Sequence, residues 1–194
     1  MEITETLSVI NGKQWREWLE KNHSGSKEIW LIYYKKESGN PRIGYNEAVE
    51  EALCYGWIDG IVKVLDKDRT VQRFSPRRKI SKLSELNKER IRKLIKEGKM
   101  TPAGMESIKQ HLQVNKSNEL SLPELSDYKM PEDIIRILKE DKVVWGNFQS
   151  FSNRYKIIRV AWIDAVRDYP TEFAKRLNYF LKMTSKNKMY GLIR

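Results

Sequence analysis

The chain opens on a loose alternation of polar and apolar residues. "EITETLSVI" at 2–10 is rich in β-branched side chains, which predicts an edge strand. From Asn11 the spacing lengthens. Trp15, Trp18, Leu19 and Asn22 in "NGKQWREWLEKNH" fall three and four apart, the period of a short amphipathic helix. After the loop "SGSK", the run "EIWLIYYKK" at 28–36 is bulky, β-branched or aromatic, and bounded by loop residues on both sides, so it reads as a strand. "ESGNPRIG" is loop. In "YNEAVEEALCYGW" the apolar stripe is Ala48, Val49, Ala52, Leu53 and Gly56, a helix with Asn46 as its expected N-cap and its end near Trp57. "IDG" then reads as a turn. "IVKVLDKDRTVQRFSP" reads as a β-hairpin about Asp66–Lys67–Asp68, with Val71, Arg73 and Ser75 on one face of its second strand and Gln72 and Phe74 on the other.

From about Ser81 the period is helical throughout. Leu83, Leu86, Ile91, Leu94 and Ile95 form one stripe that stops at Gly98. Thr101 and Pro102 have the chemistry of an N-cap and a first helical position. Residues 113–129 are polar and irregular. "MPEDIIRILKED" opens a second helical region with Pro131 expected at its first position. "FSNRYKIIRVAWIDAVRDYP" carries Ile157, Ile158, Ala161, Trp162, Ala165, Val166 and Tyr169 on its expected buried side, and Pro170 starts "TEFAKRLNYFLKMT". Strands and helices mixed at one end and helices alone at the other predict an α+β class: a small antiparallel or mixed sheet with packed helices, then an all-helical region. The expected organisation is an α+β domain at 1–112, a linker at 113–129 and a helical region at 130–194.

Composition narrows the class. The 194 residues are 40 % hydrophobic, with six Trp and nine Tyr, enough aromatic surface for a folded chain. No apolar run approaches the roughly 20 residues of a membrane-spanning helix. The start "MEITETLSVI" lacks the form of a signal peptide, so a cytoplasmic location is expected. One cysteine excludes an internal disulfide, and one Cys with two His argues against a structural zinc, so no metal or cofactor is expected. The net charge of +11 is unevenly spread: residues 69–99 hold twelve basic and three acidic side chains, and residues 139–194 twelve basic and five acidic. Such blocks attract anionic partners at long range.

The familiar catalytic templates are missing. There is no GxGxxG, no GxxxxGK[ST] and no GxSxG. Cys54 with His23 or His111 is formally a thiol–imidazole pair, but Cys54 sits in an apolar helical stripe, where a buried structural cysteine is the simpler reading. What remains is "CYGWIDG" at 54–60 and "RFSPRR" at 73–78. If the hairpin packs beside the helix end, Asp59 and Arg73 come within ion-pair reach. Arg73, Arg77 and Arg78 then form a carboxylate- or phosphate-binding cluster with Trp57 as its wall. The alternative is a structural Asp59–Arg bridge over a core Trp57. Lys88, Arg92 and Lys96 recur every four residues on the next helix, flanked by Arg90 and Lys93, a cationic face suited to phosphate backbones or simply to solvent.

Taken together, "WLEKNH", "IWLIYYKKESG", "YNEAVEEALCYGWIDG", "RFSPRR" and "LNKERIRKLIKEGKMTPAG" resemble the YdeI/OmdA-type proteins, described as bacteriocin-protection, YdeI- or OmpD-associated, over residues 15–104. A fainter likeness continues in "FSNRYKIIRVAWIDAVR", where "DAVRDYPTEFAKRL" departs from the family's pattern. The resemblance implies an association with resistance to antimicrobial peptides and with outer-membrane protein biology. It implies no reaction and no catalytic residues. A chain of +11 repels cationic peptides, so peptide binding does not carry over. Two readings stay open beside a third, in which both stretches are structural and function lies in a partner interface. One is a non-enzymatic module that binds an anionic ligand or nucleic acid through its Arg/Lys surface. The other is a small-molecule binder or enzyme with a pocket around Trp57, Asp59 and the arginines at 73–78.

Overall fold

The computed structural model describes residues 2–115 and 118–191. The chain divides into two compact units, Met1–Lys82 with Arg90–Ser121, and Leu83–Glu89 with Leu122–Arg194. The architecture is α+β, with a four-stranded mixed sheet, and the C-terminal region is helical.

In the first unit the order is β1 (Thr6–Leu7), α1 (Gly12–Asn22), β2 (Ile29–Tyr34), α2 (Tyr45–Cys54), β3 (Trp57–Val64) and β4 (Arg69–Pro76). Then come the later residues of α3 (Glu85–Lys96), α4 (Pro102–Ile108) and a small hairpin of β5 (Gln113–Val114) and β6 (Leu120–Ser121). The sheet runs β1-β2-β4-β3, with β1 parallel to β2 and the other pairs antiparallel. A register shift between Asp59 and Val62 marks a bulge in β3. The expected edge strand at the start is confirmed as β1, and β2 is internal, which explains its nearly unbroken apolar run.

Three indoles fasten α1 and α2 to the sheet. Trp15 is fully buried, donates its Nε1–H to Ala48 O at 3.0 Å and meets Phe74 edge-on at 5.5 Å. Trp18 stacks on Trp15 at 5.3 Å and meets Trp57 edge-on at 5.7 Å. Buried aromatics pack best when the indole N–H finds an acceptor, and both buried donors do: Trp57 Nε1 donates to His23 O at 3.1 Å. On the opposite face Trp30, Ile32 and Val71 form a smaller cluster.

Two expectations around this sheet are corrected. Asn46 is not the N-cap of α2. The cap is Gly44, and Asn46 lies in the first turn, where its side chain accepts from Arg90. Asp59 and Gly60 are not a turn either. The chain reverses three residues before Asp59, at Gly56 (φ +74°), so Trp57 begins β3 rather than ending α2. A side chain at Gly56 would be strained at that φ and would meet Ser107 Cβ at 2.8 Å.

The second unit is built from the start of α3, a turn of 3₁₀ helix at Leu125–Asp127, and α5 (Glu132–Lys139), α6 (Lys142–Ser150), α7 (Asn153–Asp164) and α8 (Pro170–Ser185). Its core joins Ile134, Leu138, Val144, Phe148, Tyr155, Ile158, Ile163, Leu177 and Phe180, with Leu86 packed against it. Pro131 is the N-cap of α5, one place before its expected position. The buried side of α7 is Tyr155, Ile158, Arg159, Val160 and Ile163, whereas Trp162 and Tyr169 face outward. That helix is apolar on several sides, so periodicity alone does not select the core face. Of the stretch expected as a linker, residues 116 and 117 lie outside the described residues. No described helix is long and apolar enough to cross a membrane.

Candidate functional site

Asp59 and Arg73 do not meet. Asp59 is the cross-strand partner of Phe74, and neighbouring residues of a strand point to opposite faces, so Arg73 projects from the other side of the sheet. Arg73 Nε donates to Glu28 Oε2 at 2.6 Å and Nη1 to Ser75 Oγ at 3.3 Å. Hydrogen bonds from Thr4 and then Arg73 hold the Glu28 carboxyl down to about 2. This pair ties β4 to the start of β2.

Asp59 instead anchors a polar cluster on the helix-covered face. Its Oδ2 accepts from Tyr45 Oη at 2.9 Å and from Gln72 Nε2 at 3.2 Å. Burial, with the charge of Asp59 behind it, pushes the Tyr45 hydroxyl up to about 12. Tyr33 projects from the same face of the sheet. Its hydroxyl is buried without a partner and is raised by burial, with Tyr45 and Asp59 adding to the effect. Arg90, 8 % exposed, lies over the Tyr45 ring at 5.9 Å and donates to Asn46 Oδ1 at 2.6 Å.

Arg77 sits just past β4, and its backbone N–H is held by Gly56 O at 2.8 Å. Its side chain is only 8 % exposed. Nη1 reaches Ser81 Oγ, Lys82 O and Ser81 O at 3.2, 3.3 and 3.4 Å, closing the loop 77–82 around the guanidinium. Nε and Nη2 are buried with no partner among the described residues. Burial lowers the pKa of this group, and the nearby charge of Asp59 opposes that shift. The loop Arg77 closes is a tight turn, with Ser81 N and Oγ both donating to Arg78 O. It presents Arg78, Lys79 and Lys82 to solvent, and Ile80 is 92 % exposed among them.

The rest of the basic block is largely neutralised. Arg69 pairs with Asp66, Arg73 with Glu28, Lys93 with Glu50, and Lys99 with Glu97. On α3, Lys88 pairs with the buried Glu85 within the second unit. Arg92 is half-buried and Lys96 exposed, both in the first. Among the described residues the cations of the 78–82 loop have no acidic partner.

Trp57 is 1 % exposed, so its ring is core. Two open surface depressions are lined by Thr4, Lys27 and Glu28 among others, and by Tyr34, Asp66 and Arg69 among others; neither includes Trp57, Asp59, Arg73, Arg77 or Arg78. Cys54 is buried, and burial pushes its thiol up to about 11, a packing cysteine rather than a nucleophile. Among the described residues no group of three His, Cys, Asp or Glu is placed to hold a metal ion.

Sequence reasoning named Asp59 and Arg77 but missed Tyr33, Tyr45 and Gln72 as site residues, and it placed Arg90 on a cationic helix face rather than against Tyr45 and Asn46. One signal was available for Gln72. It is an uncharged polar residue on the strand face shared with Phe74, where an apolar residue is otherwise expected.

Two family matches divide the chain. Residues 7–107 match the family described as "Domain of unknown function (DUF8412)". Residues 127–187 match "Bacteriocin-protection, YdeI or OmpD-Associated". The second match falls on the C-terminal helices, where the resemblance read from the sequence was fainter, and not on residues 15–104. No curated protein and no solved structure matches the chain.

Proposed function

We propose, for a chain that belongs to the DUF8412 family over residues 7–107 and carries a YdeI/OmdA-type segment at 127–187, a non-enzymatic role as a binding module for a polyanionic partner. The contact surface is the loop that follows β4. The observation that carries this reading is the contrast within one basic block. Arg69, Arg73, Lys93 and Lys99 are paired with carboxylates, while Arg78, Lys79 and Lys82 project from a closed turn with no acidic partner among the described residues. A turn held from inside by Arg77 presents these cations in fixed relative positions, so less conformational entropy is lost when they bind. Ile80, almost fully exposed between them, adds apolar contact where a solvated loop would carry a polar residue.

The test is binding of a duplex DNA probe by fluorescence anisotropy over a salt series, for wild type and for Arg78→Ala/Lys79→Ala/Lys82→Ala. If the three cations neutralise three phosphates, the slope of log K against log salt falls in magnitude by about 2 to 3 in the variant. Its stability stays within about 0.5 kcal/mol, because the removed side chains are exposed. Wild-type binding that ignores salt, or an unchanged slope in the variant, would refute the reading.

A further inference from the structure

We propose that the Nε–Nη2 edge of Arg77 is a recognition fork for a phosphate group, shut in the free protein and engaged when the loop 77–82 meets its anionic partner. The inference rests on the loop being the contact surface. It adds a specific acceptor site beneath a surface otherwise defined by charge.

A guanidinium carries five N–H donors in one plane, and its side edge, formed by Nε and one Nη, matches two oxygens of a phosphate in parallel. In this chain the opposite end is occupied. Nη1 holds Ser81 and Lys82 through contacts of 3.2 to 3.4 Å. The edge that would grip an oxyanion is the edge left without a partner, although it is buried. Buried unpaired donors are uncommon and costly, and each one calls for a cause.

An arginine serving only as a loop anchor would turn this edge to the nearest carboxylate. Asp59 is close enough to act on Arg77 electrostatically, yet its Oδ2 is engaged by Tyr45 and Gln72, and no hydrogen bond joins the two side chains. The sheet therefore holds the acid in place for Tyr45 and leaves the arginine unneutralised. The loop closed by Nη1 also bears Arg78, Lys79 and Lys82, so an anion drawn to those cations arrives at the turn that this same guanidinium holds closed.

Arginine side-chain Nε–H signals of the full-length protein, followed by NMR during titration with inorganic phosphate, provide the test. One signal, absent from Arg77→Lys, should shift saturably with phosphate. Acetate at equal ionic strength should leave it in place. With the DNA probe, Arg77→Lys, which keeps the charge and loses the fork, should weaken binding about tenfold or more, whereas a contribution through charge alone predicts little change. Ser81→Ala removes one of the Nη1 contacts and leaves the edge intact, so the phosphate-dependent shift should survive it. If the Arg77 signal ignores phosphate while the loop-alanine variant still loses DNA binding, the fork is overturned and the loop reading stands. If neither responds, both fall. Equal DNA affinity of wild type and Arg77→Lys would also overturn the fork.

Discussion

Replacing Asp59 by alanine and by asparagine separates its hydrogen bonds from its charge. In Asp59→Ala, Tyr45 Oη and Gln72 Nε2 both lose their acceptor. An orphaned donor costs about 1 to 3 kcal/mol according to how well water can replace the partner. Gln72 is 4 % exposed and belongs near the upper end, while the half-buried Tyr45 belongs near the lower, for a total of about 4 kcal/mol. Asp59→Asn keeps an acceptor oxygen and exchanges charge-assisted bonds for neutral ones, a loss of about 1 kcal/mol. At a urea dependence of about 2 kcal/mol/M, the midpoints should fall by about 2 M and about 0.5 M. Amide exchange at Val71 and Gln72 on β4 reads the first unit alone, so the second does not confuse the measurement. Titration of Tyr45 supplies an independent check. Burial and the Asp59 charge together raise its hydroxyl to about 12. Asparagine removes the second cause and leaves the first, so the pKa should fall and still stay above the ordinary value near 10. Equal destabilisation by Asn and Ala, or a Tyr45 pKa untouched by Asp59→Asn, would refute this account of the cluster.

Two glycines make opposite predictions for the same substitution. A Cβ at Gly104 would overlap the Cys54 carbonyl where α4 meets the end of α2, so Gly104→Ala should destabilise by about 2 kcal/mol despite its better helix propensity. Gly146 lies exposed within α6 with nothing within 4 Å, so Gly146→Ala should stabilise by about 0.5 to 1 kcal/mol; thermal unfolding checks both signs. The Glu28 carboxyl is held at about 2, below its ordinary value near 4.5, so its bonds to Thr4 and Arg73 stabilise fully above 4.5 and that contribution fades as pH falls toward 2. Arg73→Gln should therefore melt below wild type at pH 6, with the gap closing between pH 4.5 and 2; a gap that is constant over this range would contradict the assignment.

The elements were legible because their periods are clean, and the site was less so because it depends on which face a residue takes. Trp15 and Leu19 on α1, the apolar run of β2 and the Thr101–Pro102 start of α4 all follow from local spacing and end chemistry. The Asp59–Arg73 pair was inferred from closeness after folding, but a sheet sorts side chains by parity before distance. Asp59 shares its face with Phe74 and Gln72, which leaves Arg73 to Glu28. Locating the helix–strand junction at Trp57 instead of Gly56 hid this, because a turn at "IDG" has no defined face. On α7 the failure was of another kind. Its apolar residues surround the helix, and only the neighbouring helices decide that Ile163 is core and Trp162 is not. Arg77 shows the limit most directly. From the sequence it was one cation in a block of twelve, equivalent to Arg78 beside it. The fold buries one and exposes the other, so in the proposed binding mode the adjacent arginines take different work: Arg78 supplies field at the surface, and Arg77 supplies geometry. A charge count sees only the first of these. Separating them requires a variant that keeps the charge and changes the shape, and Arg77→Lys does that while Arg78→Lys should be nearly silent.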